Sequence, residues 1–134
     1  MTAALQYLRL LALAWRLSHD AQASVDVVRD AVEASDDAFT QRWLVSWSWH
    51  ESRWGVDAVD PTGATFGCLQ IDASTWGRAP LERAAQFEQG VEVLAILEWQ
   101  GGSRRRALNA FATGKYDCDA DLVTARCAEI GGCE

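Results

Sequence analysis

Along most of the chain, apolar residues recur every three or four positions, the period of an amphipathic helix. In "MTAALQYLRLLALAWRLSHDAQAS", Leu5, Leu8, Ala12 and Trp15 fall on one helical face, which predicts a first helix packed on the core through that face. Its apolar run and the Ala21-Gln22-Ala23 triplet have a faint likeness to a signal peptide, but no Lys or Arg precedes the run and Arg9 interrupts it, so a core helix is expected. Ser24 is placed to cap a second helix in which Val25, Val28 and Val32 repeat. Asp36 and Asp37 mark the start of a third, through Phe39, Trp43, Leu44 and Trp47 to about Arg53, with Gly55 ending it.

The pattern changes between residues 55 and 80. Asp60-Pro61-Thr62-Gly63 is a turn signal and Gly67 follows, so this segment is expected to form a loop or short hairpin. Pro80 suits the first turn of a helix carrying Ala84, Phe87, Val91 and Leu94 on one face, which Gly101-Gly102 stops. Ser103 begins "SRRRALNAFATGK", closed by Gly114, and a last helix runs from about Asp119 to Ile130 before Gly131-Gly132. No repeat, low-complexity tract or linker interrupts this order. The expectation is a mainly α single domain, residues 1–134, with a small loop or β-hairpin lobe.

Composition narrows the function. At 134 residues the chain can bury a core, and its net charge of −7 argues against nucleic-acid binding, which needs a basic face. No apolar run is long enough to span a bilayer, so stable membrane insertion is not expected, and nothing signals an oligomer, so a monomer is. Seven tryptophans are many for this length; most are expected in the core, with one or two lining a groove where an aromatic face can stack on a sugar ring. Cys68, Cys118, Cys127 and Cys133 contain no C-x-x-C pair, which disfavours zinc, and the three near the C-terminus allow a bridge whose pairing the spacing leaves open. His50-Glu51 is not a zinc motif, because Trp54 stands where the second His is required. His50 is expected to be a partly buried helix residue. Arg104-Arg105-Arg106 is expected to be a solvated face rather than an anion grip.

One carboxylate stands out. Leu44, Trp47 and Ser48 precede Glu51 at helical spacing, so they share its face, and Trp47 is placed to desolvate it. Desolvation disfavours the charged form, so such a Glu is expected to hold its proton and to serve as a general acid. Glu51-Ser52, Gly63-Ala64, Gly67, Leu69-Gln70-Ile71 and Thr75, followed by Ala107-Leu108, Ala110, Phe111 and Gly114 in "ALNAFATG", resemble the lytic transglycosylases and goose-type lysozymes. The stretch up to Trp76 is also similar to the lysozyme-like domain of resuscitation-promoting factors. The resemblance spans about residues 39–116. It departs from the family pattern in a loop one residue longer, in Cys68-Leu69 for Leu-Met, and in Phe111-Ala112 for Tyr-Asn. Phe111 lacks the hydroxyl that helps hold the catalytic Glu in the family; Asn109, Thr113 and Tyr116 are the nearby polar substitutes.

The resemblance implies a lysozyme-like fold and cleavage of the β-1,4 bond between N-acetylmuramic acid and N-acetylglucosamine in bacterial peptidoglycan, with Glu51 as acid then base. It implies 1,6-anhydro products, no cofactor and no metal. Ser52, Gly63, Ala64, Gln70, Phe111 and Tyr116 are the expected substrate-binding residues. Asp57 or Asp72 is the candidate second carboxylate of a hydrolysing lysozyme, while Asp60 reads as a turn former. A weakly active peptidoglycan-binding or assembly module is the alternative outside catalysis. The expected setting is periplasmic or extracellular, or a phage particle or lysis enzyme.

Overall fold

A computed structural model describes residues 2–60, 62–118 and 120–134. The protein is mainly α. Its elements are α1 (Ala3–Ser18), α2 (Ala21–Ala34), α3 (Ala38–Ser52), β1 (Thr65–Phe66), β2 (Ile71–Asp72), α4 (Ala73–Trp76), α5 (Arg83–Gly101), α6 (Arg104–Thr113) and α7 (Asp121–Glu129). The strands pair antiparallel, Thr65 opposite Asp72 and Phe66 opposite Ile71, forming the hairpin expected between residues 55 and 80. Pro61 and Asp119, expected in the turn and at the start of the last helix, lie outside the described residues. The chain divides into two compact units, residues 1–90 and 91–134, with α5 running through the boundary.

In the first unit α1, α2 and α3 pack on one another. Leu10, Leu13, Ala14, Val27, Val28, Ala31, Trp43, Leu44 and Trp47 are buried. Two helical faces differ from expectation. Leu5, Leu8, Ala12 and Trp15 face solvent, and α1 buries Leu10, Leu13 and Ala14 instead. Because α1 is apolar on both sides, periodicity alone does not decide which side meets the core. In α2 the buried set is Ser24, Val27, Val28 and Ala31, whereas Val25 and Val32 are exposed. Asp20, not Ser24, caps this helix by accepting from the Ala23 amide at 3.0 Å. Ser24 lies a turn further in, and its hydroxyl donates to Asp20 O at 2.7 Å. The Asp37 cap of α3 is as expected, accepting from the Thr40 amide at 2.9 Å.

Glycine does not end α3. Arg53 (φ 56°) and Trp54 (φ 64°) make the left-handed reversal. The turn is held by the Trp54 indole, which donates to Val45 O at 2.9 Å, and by the Arg53 guanidinium, 4.6 Å from the centre of the Trp49 ring. Pro80 likewise precedes rather than enters α5, which starts at Arg83. Arg83 donates to Asp30 at 2.6 Å, fixing the start of α5 to α2 with both side chains largely shielded. Leu69 sits in the space left by Gly90 on α5, where a Cβ would collide with it.

Three tryptophans are core (Trp43, Trp47, Trp54), Trp49 and Trp76 are half-buried, and Trp15 and Trp99 are exposed, so fewer are core than the composition suggests. His50 is exposed rather than partly buried. Among the described residues no helix is long and apolar enough to cross a membrane.

In the second unit α6 begins with a Ser103 cap on the Arg106 amide and ends at Gly114 in the left-handed conformation, as expected. Ala107, Leu108, Val123, Cys127 and Ile130 are buried. The bridge is Cys127–Cys133, with Cα atoms 5.3 Å apart, and it ties the tail to α7. Cys68 is a buried free thiol and Cys118 an exposed one.

Two thiols of such different exposure should react differently. In the native protein a small aromatic disulfide reagent is expected to modify Cys118 at once and Cys68 only after denaturation. Fast modification of both would contradict the burial of Cys68. Replacing Cys133 by Ser should cost about 2 kcal/mol, the chain-entropy contribution of so short a loop, read from urea unfolding.

Candidate functional site

The end of α3 and the β1–β2 hairpin are joined by side chains from three segments. The Ser52 hydroxyl donates to Cys68 O at 2.7 Å, with Ser48 O at 3.0 Å as a second acceptor, and accepts from the Gly55 amide at 3.1 Å. Gln70 adopts a left-handed backbone (φ 51°) and folds its amide back into the hairpin. Its Oε1 accepts from the Thr65 hydroxyl at 2.8 Å, and its Nε2 donates to Ala58 O and Gly67 O, both at 2.9 Å. Both residues expected to touch substrate therefore spend their hydrogens inside the protein; what Gln70 still offers a ligand is acceptor capacity on Oε1.

Beneath the hairpin lies a residue that the motif reading missed. Gln86, on α5, is 2 % exposed. Its Oε1 accepts from the Cys68 amide at 2.7 Å, and its Nε2 donates to Val56 O at 3.0 Å and Pro80 O at 2.8 Å. One amide thus binds the loop after α3, the hairpin turn and the segment leading into α5. Gly67 is obligatory above it: its φ is +88°, and a Cβ there would stand 2.7 Å from Gln86 Oε1. A signal for Gln86 exists in the sequence. It heads the stripe Gly90, Val93, Leu97 at spacings of four, three and four, a lone polar residue on a buried face.

Glu51 occupies the last turn of α3, half-buried, one residue before the Ser52 anchor. Leu44, Trp47 and Ser48, the three residues expected on its face, are all buried, so Glu51 stands at the margin of the core. The structure therefore brings Ser52, Gly67 and Gln70 into one assembly of helix end and hairpin, with Glu51 preceding Ser52 on α3. Gly63 (φ 75°) and Ala64 are exposed at the far end of the loop.

The loop carboxylates divide by role. Asp60 accepts from the Thr62 hydroxyl and the Ala64 amide at 3.0 Å, the turn-forming role expected of it. Desolvation, the largest single influence, pushes its pKa up, but hydrogen bonds from Thr62, Thr65, Ala64 and Gly63 together outweigh it and hold the pKa below the ordinary value. Asp72 caps the single turn of α4, accepting from the Ser74 hydroxyl at 2.9 Å, the Thr75 hydroxyl at 3.0 Å and the Ser74 amide at 3.0 Å. These bonds, the Ser74 hydroxyl first, hold its pKa low as well. Asp57 is exposed. The buried Cys68 thiol, 3.6 Å from Trp54 O, is pushed up to about 12 by burial and is no nucleophile at neutral pH.

In the second unit Phe111 is half-buried on α6. The Tyr116 hydroxyl donates to Gln100 Oε1 at 2.8 Å, and its ring lies against Gly101. Asn109 donates to Tyr116 O at 3.2 Å and the Thr113 hydroxyl to Asn109 O at 2.7 Å, so each polar substitute for the missing Tyr hydroxyl has an internal role. The arginine triplet is engaged too: Arg104 with Glu98, Arg105 with the Thr124 hydroxyl, Arg106 with Gly101 O and Asp117. Among the described residues no three His, Cys, Asp or Glu side chains gather as metal ligands.

Comparison with known proteins returns no match: no family model, no curated protein and no solved structure aligns with this chain.

Replacing Gln86 by Leu leaves the Cys68 amide and two carbonyls without their buried partner, and is expected to cost about 3 kcal/mol or more in urea unfolding. An effect below 1 kcal/mol would show that the loops hold without it. The acid side is also defined. Asp60 and Asp72 have folded pKa values below their ordinary 3.8, so their contribution is complete above about pH 4 and is lost as pH falls through the lower folded values. Amide resonances of Ala64 and Ser74 should titrate with midpoints below 3.8, and Asp60→Asn and Asp72→Asn should each abolish the movement at its own turn.

Proposed function

We propose that this protein is a peptidoglycan-cleaving enzyme of the lytic transglycosylase kind, with Glu51 as its acid and base. The observation that supports this reading most is the placement of Glu51. It is a half-buried carboxyl on the last turn of α3, next in sequence to a hydroxyl that fastens that helix to the glycine-containing hairpin. The reading rests otherwise on the sequence motif.

The chemistry follows from a single carboxyl group. Glu51 donates its proton to the glycosidic oxygen between N-acetylmuramic acid and N-acetylglucosamine as the bond breaks. The substrate's own acetamido group stabilises the cation developing at the sugar carbon. Glu51, now a carboxylate, takes the proton of the C6 hydroxyl, whose oxygen closes the 1,6-anhydro ring. No water is consumed and no second carboxylate is needed. That suits a site in which Asp72 is committed to capping α4 and Asp60 to its turn.

A second reading has an observation in its favour. Phe111 has no hydroxyl where the family pattern carries a Tyr, which also suits a module that binds glycan strands without cutting them.

Purified sacculi separate the two. Wild type is expected to release soluble fragments one water lighter than the corresponding reducing-end products, and Glu51→Gln to lower the rate by about 10²–10⁴-fold. Reducing-end products alone would replace the transglycosylase by a hydrolase. Pelleting of the protein with sacculi and no soluble fragment would leave only the binding module.

A further inference from the structure

The outer face of α1 carries Leu5, Leu8, Ala12 and Trp15, with Leu5 43 %, Leu8 61 % and Trp15 48 % exposed, while Leu10, Leu13 and Ala14 face the core. A helix apolar on both sides is ordinarily covered on both. The outward residues are spaced three, four and three apart, which is the a/d seam of a heptad repeat. Arg9 and Arg16 then both fall at e, on one edge of the stripe, and they are the only charged residues of α1.

We propose that this face is covered by a second copy of the same chain, the two α1 helices lying side by side and parallel, related by a two-fold axis along them. The narrow seam is the first reason: strict a/d spacing suits a partner helix, and Ala12 at an a position lets the two backbones approach. Charge is the second. Helix α2 follows α1 after only His19 and Asp20, packs against it, and carries Asp26 and Glu33, seven residues apart as Arg9 and Arg16 are; Arg29 between them already pairs with Asp26, so Glu33 is the acid on which the complementarity chiefly rests. A parallel two-fold brings the arginine edge of one copy to α2 of the other, Arg16 toward the Asp26 end and Arg9 toward the Glu33 end. An antiparallel pair would set arginine edge against arginine edge. A depression of about 400 Å³ lined by Tyr7, Val25, Arg29, Val32 and Glu33 lies on that side and has room for an arginine stem.

Area sets the strength. Leu5, Leu8, Trp15, Val25 and Val32 together expose roughly 400 Å² of apolar surface. A standard dimer buries about 800 Å² per partner, some two-thirds of it apolar in homodimers, so the pair belongs at the weak end, in the micromolar range.

Sedimentation equilibrium of the intact chain between about 1 and 100 μM is expected to show a monomer–dimer equilibrium. Leu8→Glu, at an exposed position that leaves the core untouched, should give a monomer with unchanged far-UV circular dichroism. Arg9→Glu should weaken the dimer roughly tenfold or more, and adding Glu33→Arg should restore it. Should Leu8→Glu fail to fold, this charge reversal and its restoration decide alone. A monomer throughout the range overturns the proposal, as does a dimer that Leu8→Glu leaves intact. A monomer that binds phosphatidylglycerol vesicles through the same stripe would assign the face to lipid and overturn it equally.

Discussion

The arrangement of the first unit around Glu51 depends on one buried amide. Gln86 offers one acceptor and two hydrogens, and three backbone groups from three loop segments take them up: the Cys68 amide and the Val56 and Pro80 carbonyls. Irregular backbone can be buried only when its polar groups find partners. Among the described residues between α3 and α5 the chain forms two strands of two residues and one turn of helix, so regular ladders supply few of them. A side chain with both donor and acceptor, projecting from a long helix, does this at a fixed place. Gly67 is a consequence, since any Cβ there would run into the Gln86 amide.

That constraint propagates to the candidate site. With the Cys68 amide held from below, its carbonyl is presented to the Ser52 hydroxyl, and the end of α3 is fastened to the hairpin turn. Gln70 closes the same turn from the other side by bonding Ala58 and Gly67. Glu51 is thereby carried on a helix end that cannot shift without breaking bonds on both sides. For the proton transfer proposed for Glu51 such rigidity matters as much as acidity, because rate falls steeply when donor and acceptor are misplaced. Residues that look like substrate readers in the motif act here as a frame for the helix end that carries Glu51.

Much of this was legible in the sequence, for reasons that differ by element. Caps at Asp37 and Ser103 and the stop at Gly114 were readable because each acts on groups within a few residues. The hairpin was foreshadowed by its turn residues. The buried faces of α1 and α2 were not, because both helices carry apolar residues on more than one side and tertiary packing chooses between them. Gln86 was overlooked because a glutamine in a helix is ordinarily solvent-facing; only its place in line with Gly90, Val93 and Leu97 marks it. The Arg83–Asp30 pair joins residues 53 apart and leaves no local trace. Left-handed Arg53, Trp54 and Gln70 were invisible for the opposite reason: sequence preference assigns that conformation to glycine, and here neighbouring packing and hydrogen bonds impose it on other residues.

Native-state hydrogen exchange at the Cys68 amide tests the arrangement most directly, since that proton is held by Gln86 and lies at the junction of helix end and hairpin. The account predicts exchange as slow as that of the core amides of α3, proceeding only by global unfolding. Exchange at the rate of an open loop would show that the hairpin moves independently of α3, and would contradict a fixed frame around Glu51.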